Sequence, residues 1–162
     1  MKKILLFKKI LSFKKILLFI LLVFSISVNA QKIYVGNSNM SSDIMCTYSN
    51  GKLYEGKNTM SSYIIVRFDG KYIYVGNSYM TSDIVATWSN NKLYKGKSTM
   101  TSDIIGTYQN GKFYRGKSMM SSDILFNCRN NKIYKRNSNM TSDIILTLSS
   151  NIHPAILIFL LF

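Results

Sequence analysis

Residues 44–57 read Ile-Met-Cys-Thr-Tyr-Ser-Asn-Gly-Lys-Leu-Tyr-Glu-Gly-Lys, and the fold is decided there. Asn50-Gly51 is a two-residue turn signal, because Asn and Gly tolerate the positive φ that a tight hairpin demands. A turn at that point sets Tyr48 opposite Leu53 and Thr47 opposite Tyr54. Strand side chains alternate between faces, so Ile44, Cys46, Tyr48 and Leu53 share one face, the expected core. Ile84, Ala86, Trp88 and Leu93 repeat the pattern, as do Ile104, Gly106, Tyr108 and Phe113. Met45, Ile65, Val85, Ile105, Leu125 and Ile145 fall on the second face. All are apolar, so each hairpin is expected to pack on the next through them.

The unit recurs every 20 residues without slippage, six times in all, with Met40, Met60, Met80, Met100, Met120 and Met140 as its most regular markers. Tyr34, Tyr54, Tyr74, Tyr94, Tyr114 and Tyr134 keep step with them, and Gly36, Gly56, Gly76, Gly96 and Gly116 follow two residues after the first five tyrosines. Arg136 stands where the sixth glycine would. Asp43, Asp83, Asp103, Asp123 and Asp143 complete the pattern, with Tyr63 as the single exception. A stretch this short, rich in β-branched residues and lacking a helical period, holds two short strands and two connections. Asp69-Gly70 and Asn110-Gly111 supply further two-residue turn signals, and Asn90-Asn91 and Asn130-Asn131 weaker ones. A lone hairpin is unstable and a stacked array is stable. The class is therefore all-β, built from tandem hairpins.

The connecting segment at 37–43, Asn-Ser-Asn-Met-Ser-Ser-Asp, carries Ser and Asp side chains that bond their own backbone and fix a turn. The periodic Met is expected to plug an apolar gap, in preference to forming a Met-rich copper site.

Units of the form Tyr-x-Gly-x-Ser, then Ser-Asp-Ile, then an Asn-Gly turn, resemble those of the small exported β-flower proteins over roughly residues 32 to 149. The resemblance implies a compact toroid of hairpin petals about a pseudo-symmetry axis, with no established activity and no functional residues to carry over. Turns near 50, 70, 90, 110 and 130 close five petals. The strands near Lys32–Gly36 and Ile144–Leu148 each lack a partner and would pair as a sixth. The core Asn-Gly-Lys-x-Tyr-x-Gly is also similar to MORN repeats, which form an open row of hairpins. MORN units run longer and carry glycines missing here, so the open row ranks second.

Both ends depart from the repeat. Residues 1–30 read as a signal peptide: a Lys-rich start, the apolar run Ile16 to Phe24, and small residues Val28 and Ala30 before a cleavage point ahead of Gln31. The mature chain is then exported, whether to the periplasm, the outer surface or the medium, and has no transmembrane span. Residues 31–151 form the repeat domain. Residues 152–162 form an apolar tail, too short to span a bilayer. Packing on the toroid, lying on a membrane and being an aberrant end of the reading frame all remain open for it.

Six of the 21 Lys and Arg lie in the leader, which leaves fifteen against seven Asp and Glu, a formal charge of +8. Such a balance favours anionic surfaces in general, but charges recurring at fixed repeat positions describe a solvated rim. Cys46 and Cys128 occupy different repeat positions without metal or redox spacing, and whether they pair is left open.

Catalysis is not expected. His153 is the only histidine, Glu55 the only glutamate, and the repeated Asp come one per unit. No cofactor or metal is called for, calcium included, because calcium loops need denser carboxylates. What remains is a structural or envelope-associated monomer without specific nucleic-acid binding. The alternative is a multivalent module for glycans or anionic cell-surface polymers, since repetition multiplies a weak site.

Overall fold

The computed structural model describes residues 30–162, so the expected leader lies outside the described residues apart from Ala30. Twelve strands follow in chain order. They are β1 Gln31–Val35, β2 Ile44–Ser49, β3 Lys52–Glu55, β4 Ile64–Phe68, β5 Tyr72–Val75 and β6 Ile84–Ser89. The second half comprises β7 Lys92–Lys95, β8 Ile104–Gln109, β9 Lys112–Arg115, β10 Ile124–Arg129, β11 Lys132–Lys135 and β12 Ile144–Leu148. Each pairs antiparallel with its sequence neighbours, and β1 closes on β12 with Ile33 opposite Leu148, Tyr34 opposite Thr147 and Val35 opposite Leu146. The result is a closed barrel of six petals, the sixth made from the two ends of the repeat. Closure removes both open edges, and it excludes the open row of hairpins and the five-petal count.

The turns follow the sequence with one shift. Asn50 and Gly51 sit at φ 51° and 72°, and Asn90, Asn91, Asn110, Gly111, Asn130 and Asn131 are likewise left-handed, as a primed two-residue turn requires. In the second unit, however, Phe68 faces Ile73 and the Asp69 amide bonds the Tyr72 carbonyl, so the turn is Gly70-Lys71 rather than Asp69-Gly70. Gly70 alone takes positive φ there, and the Asp69 carboxylate accepts from the amides of Lys71 and Tyr72.

A β-bulge in every unit corrects the assignment of faces. Ile33 faces Cys46 but Tyr34 faces Ile44, so Met45 is the extra residue, and the same shift recurs at all six inter-petal pairings. Beyond the bulge the alternation is reset. Ile44 therefore lies on the outer face with the repeated Tyr, not in the core. Met45, Val85, Ile105, Leu125 and Ile145 turn inward against the core instead of packing petal on petal.

The apolar tail fills the barrel. Pro154–Leu161 form helix α1, with Ala155, Ile156, Leu157 and Ile158 buried. These four and Ile152 join one core with Ile33, Cys46, Leu53, Ile73, Leu93, Phe113, Ile133 and Leu146 from strands all around the wall. A helix apolar on every side needs apolar neighbours on every side, and the inside of a closed barrel supplies them. The chain enters at the hairpin-turn end, where the His153 ring lies 4.8 Å from Phe68 and 5.5 Å from Trp88. It ends at the opposite mouth, where the Phe162 ring stands 6.2 Å from Phe126. His153 Nδ1 caps the helix by accepting from the Ala155 amide.

An outer layer completes each petal. Tyr34, Tyr54, Tyr74, Tyr94 and Tyr114 are buried there and Tyr134 is half-buried, beside the buried Thr47, Thr87 and Thr107. Those threonine hydroxyls, with that of Thr147, donate to the carbonyls of Gly56, Gly96, Gly116 and Gly36, which ties each connecting loop back onto the wall. Arg67 and Asn127 replace the threonine in two units and reach the same loops, through the carbonyls of Ser78 and of Arg136 and Ser138.

Candidate functional site

An up-and-down barrel places alternate connections at opposite ends, so all six long loops gather at one end and the tight turns at the other. In the loop 36–43, Gly36 at φ 61° breaks the strand. Ser38 Oγ accepts from the Met40 amide and donates to the Asp43 carboxylate, Ser42 donates to the same carboxylate, and the Asp43 amide bonds the Met40 carbonyl. The Ser–Asp pair recurs at 78/83, 98/103, 118/123 and 138/143. Where Tyr63 replaces the Asp, Asn58 replaces the Ser, and Asn58 bonds the Glu55 carbonyl instead. The loop Asp carboxylates thus accept from serine hydroxyls, whereas a backbone amide is taken by Ser38 Oγ. Hydrogen bonds from Ser38 and Ser42 hold the Asp43 carboxyl below its ordinary range.

What these loops present is methionine. Met40, Met60, Met80, Met100, Met120 and Met140 are each between 60% and 69% exposed, so the expectation that they plug apolar gaps is overturned. The remaining exposed large apolar residues, Val35, Tyr63, Ile65, Val75, Tyr79, Met119 and Phe162, lie on the same loops, on the adjoining strand ends, or at the end of α1. Among the described residues the large exposed apolar side chains therefore gather at one end of the barrel. Lys57, Lys97 and Lys117 stand on these loops, and Lys95, Arg115 and Lys135 ring the mouth, all exposed, whereas the five loop Asp are half-buried. A shallow cleft beside the end of α1 is lined by Arg115, Leu125, Phe126, Leu161 and Phe162.

The turn end is polar and basic. Lys32, Lys52, Lys92, Lys112 and Lys132 take equivalent places on the outer wall, facing positions 47, 67, 107, 127 and 147 across the strand pairs. Tyr72 holds the sixth, with Lys71 Nζ 4.8 Å from its ring. The repeated aromatics of this end are engaged. Tyr48, Trp88 and Tyr108 lie on the lumen face against the core. In the second petal the Arg67 guanidinium is held 4.2 Å from the Tyr74 ring and 3.8 Å from that of Tyr79.

Both thiols are free. Burial, with a smaller contribution from the charge of Glu55, pushes Cys46 up to about 11, and burial also raises Cys128. Neither is a ready thiolate. His153, the one side chain suited to proton transfer near neutrality, is committed to the helix cap.

Residues 33–158 match the family model described as the 6-fold beta flower protein, a match that runs on into α1. No curated protein and no solved structure matches the chain.

Proposed function

The chain belongs to the 6-fold β-flower family, and from that premise we propose that it is an exported, envelope-associated structural protein acting through its repeated exterior. The observation that carries this reading is the filled lumen. Ile156, Leu157 and Ile158 occupy the axis where a toroid would otherwise offer a central pocket, so the surfaces left for recognition are the two ends and the outer wall. Repetition multiplies whatever weak contact each petal makes. The Lys-rich leader ahead of Val28 and Ala30 supports export.

The basic wall around the turns favours a second reading, multivalent binding of an anionic cell-surface polymer through Lys32, Lys52, Lys92, Lys112 and Lys132. Stacking on neutral sugars has less support, because Tyr48, Trp88 and Tyr108 face the lumen.

Two measurements test the proposal. Mass spectrometry of the exported protein is expected to find Gln31 at its start, and Ala30→Lys to block processing. Cell fractionation should then recover the chain with the envelope. Recovery only in the cytoplasm or free in the medium rejects the envelope role.

A further inference from the structure

We propose that the loop end of the barrel docks on an anionic lipid membrane surface, with the six methionines entering the headgroup and acyl boundary. The proposal rests on the envelope-associated reading and names its partner. Exposed apolar side chains scattered singly are ordinary, whereas a cluster of them marks an interaction surface, and here the large exposed apolar side chains among the described residues are gathered at one end of the barrel. Five of the six methionines, all but Met60, are held out by a loop braced by its own Ser–Asp pair, so little ordering cost attends their insertion. Methionine is flexible and polarisable, and suits a fluid, irregular surface better than a shaped pocket.

Charge selects the occupant. Lys57, Lys97, Lys117, Lys95, Arg115 and Lys135 stand exposed at this end against one exposed carboxylate, Glu55, while the Asp carboxylates turn back to serine hydroxyls inside the loops. A second copy stacked rim to rim would set those cations against one another. An anionic headgroup layer pairs with them while the methionines are buried, the two-part pattern of surface-bound proteins. The strands hold four to six residues, against about 9–11 for one that spans a bilayer. No helix among the described residues is long and apolar enough to cross either. The geometry is that of lying on a membrane rather than passing through it.

The experiment uses the chain from Gln31, which holds every strand and the helix that fills the barrel. It is floated with phosphatidylcholine vesicles made with and without phosphatidylglycerol. Binding is expected to require phosphatidylglycerol and to weaken with salt. It should fall on the order of ten-fold or more when Met60, Met80, Met100 and Met120 are together changed to Asn. Lys97→Gln with Lys117→Gln should weaken it by a smaller factor. Because these side chains are exposed, circular dichroism should report an unchanged barrel in both variants. As a second readout, vesicles should slow peroxide oxidation of the same methionines. Absence of vesicle binding, or equal binding by the methionine variant, overturns the proposal. So does a rim-to-rim dimer in sedimentation that the methionine variant dissolves while vesicle binding is missing. Envelope recovery in cells without vesicle binding would sink the lipid partner and leave the structural reading standing.

Discussion

The Cγ2 methyl of Ile158 lies 3.3 Å from the point where a β-carbon on Gly106 would stand. Gly106 occupies the inward position filled elsewhere by Cys46, Val66, Ala86, Phe126 and Leu146, so the barrel has a low place in its wall. Phe162 Cε2 and the Tyr114 carbonyl crowd the same point, each at 3.3 Å. Helix α1 lies nearest β7, on the strand next to Gly106 in the wall. Position 106 is therefore small because the helix needs the room.

Gly106→Val is accordingly expected to destabilise the protein by about 1–3 kcal/mol through overpacking. Urea unfolding measures it. Ile158→Ala alone should cost about 2–5 kcal/mol as a cavity, and the double variant should cost less than the sum, because the shortened side chain admits the new one. Strict additivity would mean that the helix does not seat on β8.

Arg136 takes φ 54° where the five equivalent residues are glycines at φ 56° to 61°. A left-handed conformation costs a residue with a β-carbon about 1–2 kcal/mol, while glycine's extra freedom in the unfolded chain costs about 0.4–1 kcal/mol. Arg136→Gly should thus stabilise by about 0.5–1 kcal/mol. A lowered melting temperature would show that the arginine side chain contributes more than its backbone loses.

Much of the fold was legible because it repeats. The 20-residue period, the Asn-Gly turns and the two unpaired end strands led to hairpins and a ring, and the structure has both. Three features were not legible, each for a physical reason. Strict alternation put Ile44 in the core, but one extra residue per unit reverses the faces, and no residue type marks a bulge when Met, Ile, Val and Leu all stand at it. The destination of residues 152–162 depends on the bore of the barrel, which no local pattern encodes. A periodic apolar residue usually belongs to a packed face, so sequence alone assigns the methionines to an apolar gap. The Ser–Asp bond that holds Met40 out was visible only as a turn signal, although the joint replacement of Ser by Asn58 and Asp by Tyr63 pointed to a coupled pair.

Docking of the helix should depend on pH. Burial lowers the pKa of His153 from its ordinary 6.5, and Nδ1 must be unprotonated to accept from the Ala155 amide. The unfolded chain takes up the proton first, so stability rises with pH across this interval. The contribution is complete above about pH 6.5 and declines as pH falls below it, until the lowered folded value is passed. Melting temperatures between pH 7.5 and 5 should show the loss, and His153→Asn, which keeps a capping oxygen, should flatten it. Equal slopes for both proteins would mean that the imidazole is not the group responsible.

Ring closure makes a long-range prediction that no open array shares. Ile33, Tyr34 and Val35 pair with Leu148, Thr147 and Leu146, and the Gly36 amide bonds the Ile145 carbonyl. Deleting residues 142–162 removes β12 and α1 together, so it strips the partner from β1 at the far end of the chain and also empties the lumen. Deleting residues 152–162 removes the helix and leaves the seam intact. Hydrogen exchange on the two truncations separates the contributions. The shorter deletion should lower protection around the whole wall, because every strand loses its inner neighbour. The longer one should in addition raise exchange at amides 33–36 above that at 53–55, whose strand partners both survive. A row of hairpins would lose only its last unit. Equal protection at 33–36 and 53–55 in the longer deletion would therefore mean that the seam carries none of the stability that its hydrogen bonds suggest.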